Sequence, residues 1–375
     1  AMSSFPRADL STLAVPGEWQ QKLAPYGIVT SSQLYERLKQ QPAPVERLLN
    51  DSAKHIKARL NHCLGPVRSR AIRLSHRSVV SRPVGGIAHC KNGGAADTQS
   101  HTTSQARTAL MHSVKSNAAI EKLPSSYKLT QWLPLPTDQG NTPSCVGHAS
   151  NALREYLSRE IMSPMYAYEG SRSMLPKPPP QGGSRMNAAM EFFFGTGHVL
   201  ADDYSLQDAN RQKDVRKLAK KASRWKTDGY ADFLPNRKDM ADVPDLIRLV
   251  LTGKLHEQLG PRPIGVSLAL YESVQTWHTH KTGIFTLPLP GEELEGGHAM
   301  VIVGYINAGA PKNSWAQDWF IVRNSWGSEW ASDNPYQLPG HALIPASYFA
   351  SDKRLWEMLV CVAEPPPERN RWLAG

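Results

Sequence analysis

Apolar residues recur at helical spacing in some stretches and run together in short blocks in others, so the chain reads as a mixed α and β protein. Val146, Ala149, Leu153, Tyr156 and Leu157 share one face of a helix expected over residues 144–159. Residues 186–196 and 241–259 carry the same periodicity and are expected to be helical. PIGVSLAL (263–270), AMVIVGYI (299–306) and DWFIVR (318–323) are continuous apolar runs of strand length, and a late strand is expected around Trp356–Val362. PKPPPQGG (176–183) reads as a surface loop, because its prolines cannot donate to a strand ladder.

The first third differs. Residues 8–63 read as a small helical unit with a start signal at Thr30–Ser32. Its apolar positions are Leu34, Leu38, Val45, Leu48 and Leu49, followed by Ile56, Leu60 and Cys63 on one face. So short a module cannot bury a large core alone and is expected to lean on something else. From residue 64 to 120 Arg, Ser, His, Gly and Thr dominate, which predicts a loose connector with a short helix over 105–120. The expected organisation is a helical N-terminal region (1–65), a basic connector or prosegment (66–120) and a larger α+β domain (121–375).

Charge sharpens this division. The net charge of the 375 residues is +10, and residues 1–120 hold 16 Lys and Arg against 6 Asp and Glu, so the whole excess lies there. A basic segment suits nucleic acid, an anionic membrane or an acidic surface of its own chain. LAPYGIVTSSQLYERL weakly resembles a helix-hairpin-helix module, and nucleic acid is not the expected partner. Four cysteines exclude a disulfide-stapled miniprotein, and no apolar run approaches the roughly 18 residues of a spanning helix. AMSSFPRADL lacks the apolar stretch of a secretory signal, and the compartment stays open. His89 and Cys90 are too few for a structural zinc site; no metal or cofactor is expected, and Cys361 reads as a buried free thiol.

Three distant segments carry chemistry. DQGNTPSCVGHASNALREYL (138–157) puts Cys145 at a helix start with Ser144 as N-cap, where free N–H groups would favour the attacking thiolate. EGGHAMVIVGYI (295–306) has His298 opening an apolar strand behind two glycines. WFIVRNSWGSEW (319–330) has Asn324 directly after a strand, followed by Trp326 and Trp330. Taken singly, each has a plain alternative: an inert buried cysteine, a structural histidine, a turn asparagine.

Together they resemble the papain-like cysteine peptidases, whose triad is Cys-His-Asn. Gln139 and Gly140 precede Cys145 as in the family's Q-G-x-C-G-S-C-W segment, His298-Ala299 is followed by VIVGY, and the N-S-W-G word stands at Asn324–Gly327. QGGSRMNAAMEFFFGTG (181–197) is similar to the family's Gly-Gly stretch before a helix. The resemblance covers about residues 121–362. It implies an α+β papain-like two-lobed fold, one lobe helical and the other β-barrel-like, preceded by the helical N-terminal region. It implies an endopeptidase acting through an acyl-thioester: Cys145 as nucleophile, His298 as its acid-base partner, Asn324 orienting His298, and Gln139 with the Cys145 N–H at the oxyanion. Trp326 would cover the His-Asn bond, and Gly182, Gly183 and Gly297 would line the substrate path, Gly183 offering its backbone to an extended peptide. A zymogen is implied too, with the N-terminal segment docked in cis on the cleft by charge and loosening at low pH, and cleaved near residues 107–122.

The departures are Thr142 where the family has a cysteine, Pro143 for its next glycine, Val146 for an aromatic, no cysteine before Gly182, and Gly297 in place of an acid. His298 and Asn324 lie further from Cys145 than the roughly 130–150 residues of papain, so insertions are expected at 208–240 and 307–317. A papain-fold transamidase or deamidase, and a peptidase-fold protein targeted by a basic binding domain, remain as alternatives.

Overall fold

A computed structural model describes residues 10–75, 122–180, 182–234, 237–255, 259–311 and 317–362. The chain divides into two compact units. One comprises residues 1–82, 270–295 and 330–339; the other comprises 83–269, 296–329 and 340–375.

The first unit is built on α1 (Gly17–Leu23), α2 (Ser31–Gln40), α3 (Pro42–Leu49) and α4 (Ala53–Ser75). The predicted start signal works as a capping box: Thr30 Oγ1 accepts from Gln33 N–H while Gln33 Oε1 accepts from Thr30 N–H. Trp19, Leu23, Leu34, Leu38, Val45, Leu49, Ile56 and Leu60 are buried together with Leu289, more than 200 residues further along. The module therefore does lean on another segment, residues 270–295. Arg37 and Glu292 form a buried ion pair at 2.6 Å, and the Glu36 carboxylate accepts from the His278 N–H. The loose connector does not begin at residue 64, because α4 runs to Ser75 through Gly65 and Pro66. The expected helix at 105–120, the cleavage site at 107–122 and Cys90 lie outside the described residues.

In the second unit α5 (Cys145–Ser158), α6 (Pro164–Ser173) and α7 (Met186–Gly195) pack on one another, and α7 packs on the sheet. Gly147 lets α5 and α6 close up: a Cβ there would lie 2.4 Å from the Pro164 carbonyl oxygen. The helix expected over 241–259 is shorter; α8 spans Val243–Leu251, and the chain turns at Gly253 with φ +69°.

The sheet joins β1 (Ser126–Lys128), β2 (Gly229–Asp232), β3 (Ile264–Tyr271), β4 (Leu294–Ile306), β5 (Trp319–Arg323), β6 (His341–Pro345) and β7 (Leu355–Val362). Its order is β2-β7-β3-β4-β5-β6, with β1 on β4, and the registered pairs are antiparallel. The four apolar blocks are the central strands, and β4 and β5 are buried almost throughout, which is why they read as continuous runs. β4 begins at Leu294, so His298 lies inside the strand and does not open it. Part of the expected insertion at 208–240 is β2, which pairs with β7.

Candidate active site

The β4–β5 register builds the histidine-asparagine pair. Val301 pairs with Arg323, so continuing the ladder sets Asn324 opposite Met300 and places it diagonally from His298 on the same face. The His298 Nε2 lies 2.8 Å from Asn324 Oδ1, which also accepts from the Ser325 N–H at 2.8 Å. Trp326 lies against the pair, its ring centroid 5.0 Å from that of His298, and His298, Asn324 and Trp326 are all buried. Among the described residues, His298 Nδ1 and Asn324 Nδ2 are buried without a hydrogen-bond partner.

The cysteine arrives by a separate route. Residues 137–139 bridge to 325–327: Gln139 N–H donates to the Ser325 carbonyl, Gly327 N–H to Thr137, and Asp138 pairs with Trp326. Gly140 turns the chain with φ +57°, its N–H on Asp138 Oδ1, and α5 starts at Cys145. The Cys145 sulfur is fully buried and lies against the N–H of Ala299, the residue after His298. Cys145 thus lies beside the residue that follows His298, and His298 is bonded to Asn324. Ser144 is the N-cap residue, but its hydroxyl bonds Thr142 Oγ1 at 2.6 Å and does not cap the helix.

The N–H groups at the helix end act on the Cys145 sulfur in the direction expected, and burial outweighs them. Burial pushes the Cys145 thiol up to about 11, against the opposing pull of the N–H groups of Ala299, Val146 and Cys145. Burial likewise holds His298 down to about 4, partly offset by its bond to Asn324.

Gln139 is buried and fixed: Ser325 Oγ–H donates to its Oε1 at 2.5 Å, and its Nε2 donates to the Thr142 carbonyl at 2.7 Å. A primary amide has two N–H donors, and the bond to Thr142 uses one of them. Ser325 carries no signal of its own in the sequence, although it is the second letter of the N-S-W-G word. Gly182 has φ +93°, and a Cβ there would meet Pro143 Cγ at 2.1 Å, so the Gly-Gly stretch presses against the loop that delivers Cys145. The backbone of Gly183 is not free as expected: Tyr168 Oη and Arg172 engage its N–H at 3.2 Å and its carbonyl at 2.9 Å. An extended peptide would have to displace them. Gly297 is buried on β4 beside His298. Among the described residues no cluster of His, Cys, Asp and Glu is arranged to hold a metal, and no helix is long and apolar enough to cross a membrane.

Residues 181–338 match the family model described as papain family cysteine protease. An uncharacterized peptidase C1-like protein of Acanthamoeba polyphaga mimivirus is 34% identical over 90 residues, 24% of this chain and 26% of that one. A probable cysteine protease of Arabidopsis thaliana is 30% identical over 161 residues, 42% of this chain and 29% of that one. The chain thus spans under a third of the length of these curated relatives. Among solved structures, xylellain, a cysteine protease from Xylella fastidiosa, superposes with a TM-score of 0.53 at 16% identity, covering 76% of this chain and 99% of that one. The fold is papain-like. Its residues 181–338, under half of the chain, are similar to the papain-family cysteine proteases.

Proposed function

We propose that the chain is a cysteine endopeptidase. The observation that carries this reading is the imidazole of His298, whose Nε2 is committed to Asn324 while its Nδ1 is buried and unpaired, with the Cys145 sulfur against the N–H of the next residue, Ala299. His298 Nδ1 takes the Cys145 proton, and the sulfur attacks the scissile carbonyl carbon. The resulting oxyanion is held by the free Gln139 Nε2–H and the Cys145 backbone N–H. His298 then returns the proton to the leaving amine as the C–N bond breaks, leaving an acyl-thioester that water hydrolyses with His298 as base. Cys145 and Gln139 lie before the family-matched stretch, so their roles rest on the packing of α5 and on the resemblance of their local sequence.

The N-terminal helices suit a prosegment. Their shared core with Leu289 and the buried Arg37–Glu292 pair support stable docking of residues 10–64 on residues 270–295. Burial raises the Glu292 carboxyl, but Arg37 and the N–H groups of Ser273 and Leu289 override this and hold it below its ordinary range. A depressed acid contributes stability above its unfolded value, lost as pH falls through its folded value, so docking loosens in acid. The test is incubation of the full chain with an epoxide inhibitor of this family and with short peptidyl-amide fluorogenic substrates. Adduct mass on Cys145 together with fluorophore release supports the reading; acyl transfer to an amine without hydrolysis, or no adduct, refutes it.

A further inference from the structure

One residue in the heart of the site has no place in the chemistry so far assigned to the triad. His148 lies three residues beyond Cys145 on α5, is 7% exposed, and holds its Nδ1 2.7 Å from Thr137 Oγ1. It lines a small cavity behind the triad together with Thr137, Arg323, Asn324 and Ser325, against Ala299. Resting on the peptidase reading, we propose that His148 is a positioning residue: across this cavity its imidazole holds the Asn324 carboxamide in the orientation that accepts from His298.

A carboxamide is nearly isosteric with its own flipped form, so shape alone does not choose between them. Hydrogen bonds must choose. On one side Asn324 Oδ1 is fixed by His298 Nε2 and the Ser325 N–H; on the other, Nδ2 is buried and needs an acceptor. Arg323 has only donors, directed to the carbonyls of Pro134 and Leu135. Ser325 Oγ, whose O–H is donated to Gln139, and Thr137 Oγ1, paired with His148, lie beyond hydrogen-bond reach of Asn324 Nδ2. With Nδ1–H donated to Thr137, the neutral His148 ring presents the lone pair of Nε2, which receives the amide across the cavity through one bridging water. Charged groups acting on the ring are Arg323, Asp138 and His298; burial first and then the Arg323 cation lower its pKa to about 4, keeping the lone pair available. A flipped Asn324 would set N–H against N–H and withdraw the acceptor that stabilises the imidazolium.

The test uses the full chain and three variants. His148→Phe fills the volume without an acceptor, and His148→Gln supplies an amide oxygen. His148→Phe is expected to lower kcat about 10–100-fold with KM little changed. It is also expected to move the alkaline limb of the Cys145 alkylation rate, where the imidazolium loses its proton, down by about one pH unit. His148→Gln restores the limb and all but about threefold of kcat. A packing role would lower the melting temperature without moving the limb. Should His148→Phe fail to fold, Thr137→Val, which only releases the ring, gives the same limb shift at smaller size. An unmoved limb in both His148→Phe and Thr137→Val, or a His148→Gln as impaired as the Phe variant, overturns the proposal alone. A wild-type chain neither active nor alkylated at Cys145 removes the peptidase reading and the proposal together.

Discussion

The two units use buried polar groups in opposite ways. In the N-terminal unit the Glu292 carboxylate is saturated by Arg37 Nη2 and the N–H groups of Leu289 and Ser273. In the second unit two buried nitrogens at the candidate site, His298 Nδ1 and Asn324 Nδ2, have no hydrogen-bond partner. Saturation holds a structure, because removing one partner strands a charge. Open bonding capacity in a rigid setting is what chemistry requires, since a group already satisfied has nothing to offer a transition state.

The largest expected effect breaks the catalytic side of this comparison. Cys145→Ala should lower turnover by about 10⁴-fold or more and abolish the epoxide adduct, with melting temperature little changed. Cys361, buried with its thiol on Thr227 Oγ1, should stay unlabelled in the intact chain. A full rate in Cys145→Ala, read with the same peptidyl amide, would remove the site.

The structural side breaks at Arg37. Arg37→Ala leaves Glu292 buried and uncompensated and should cost the N-terminal unit about 3–5 kcal/mol, read by denaturant unfolding. The double replacement Arg37→Met with Glu292→Leu should recover most of that loss, because the pair's Coulomb gain only repays its desolvation. If the single variant is neutral, the pair does not clasp the unit.

Acid titration sharpens the contrast within the catalytic unit. His148 and His298, both held to about 4, titrate near 6.5 when unfolded, so the stability they contribute is present above that value and lost as pH falls toward 4. Glu155 on α5 opposes them: burial pushes it up to about 7 despite Arg323, so the folded state takes up its proton first and gains stability as pH falls from 7 to 4.5. Glu155→Gln deletes the opposing term and should steepen the loss over that window by about 1–3 kcal/mol, measured by urea midpoints at each pH. An unchanged slope would mean Glu155 is ionised in the fold.

The smallest effect is local. Thr30→Ala removes one half of the capping box and should cost about 1 kcal/mol in the N-terminal unit while leaving peptidyl-amide turnover unaffected.

Elements with a strong internal signal are legible in the amino-acid order. The face of α5, the apolar blocks of β3, β4, β5 and β7 and the cap at Thr30 each arise from local periodicity or local hydrogen bonding. Short partners give no such signal. β1, β2 and β6 have three to five residues each and exist because a neighbour offers a ladder. The site residues that sequence patterns do not mark, His148, Thr137 and Arg323, share that reason: their meaning comes from what faces them.

The amino-acid order by itself determined which side chains could do chemistry: a cysteine at a helix start, a histidine in an apolar strand and an asparagine after one, with glycines where the chain must turn. Tertiary structure alone decided their state and their company. Burial, which no local pattern encodes, raises the Cys145 thiol and lowers the His298 imidazole against the pull of their hydrogen bonds. The β4–β5 register put Asn324 on His298, and the packing of residues 270–295 turned a basic helical module that could not stand alone into one side of a shared core.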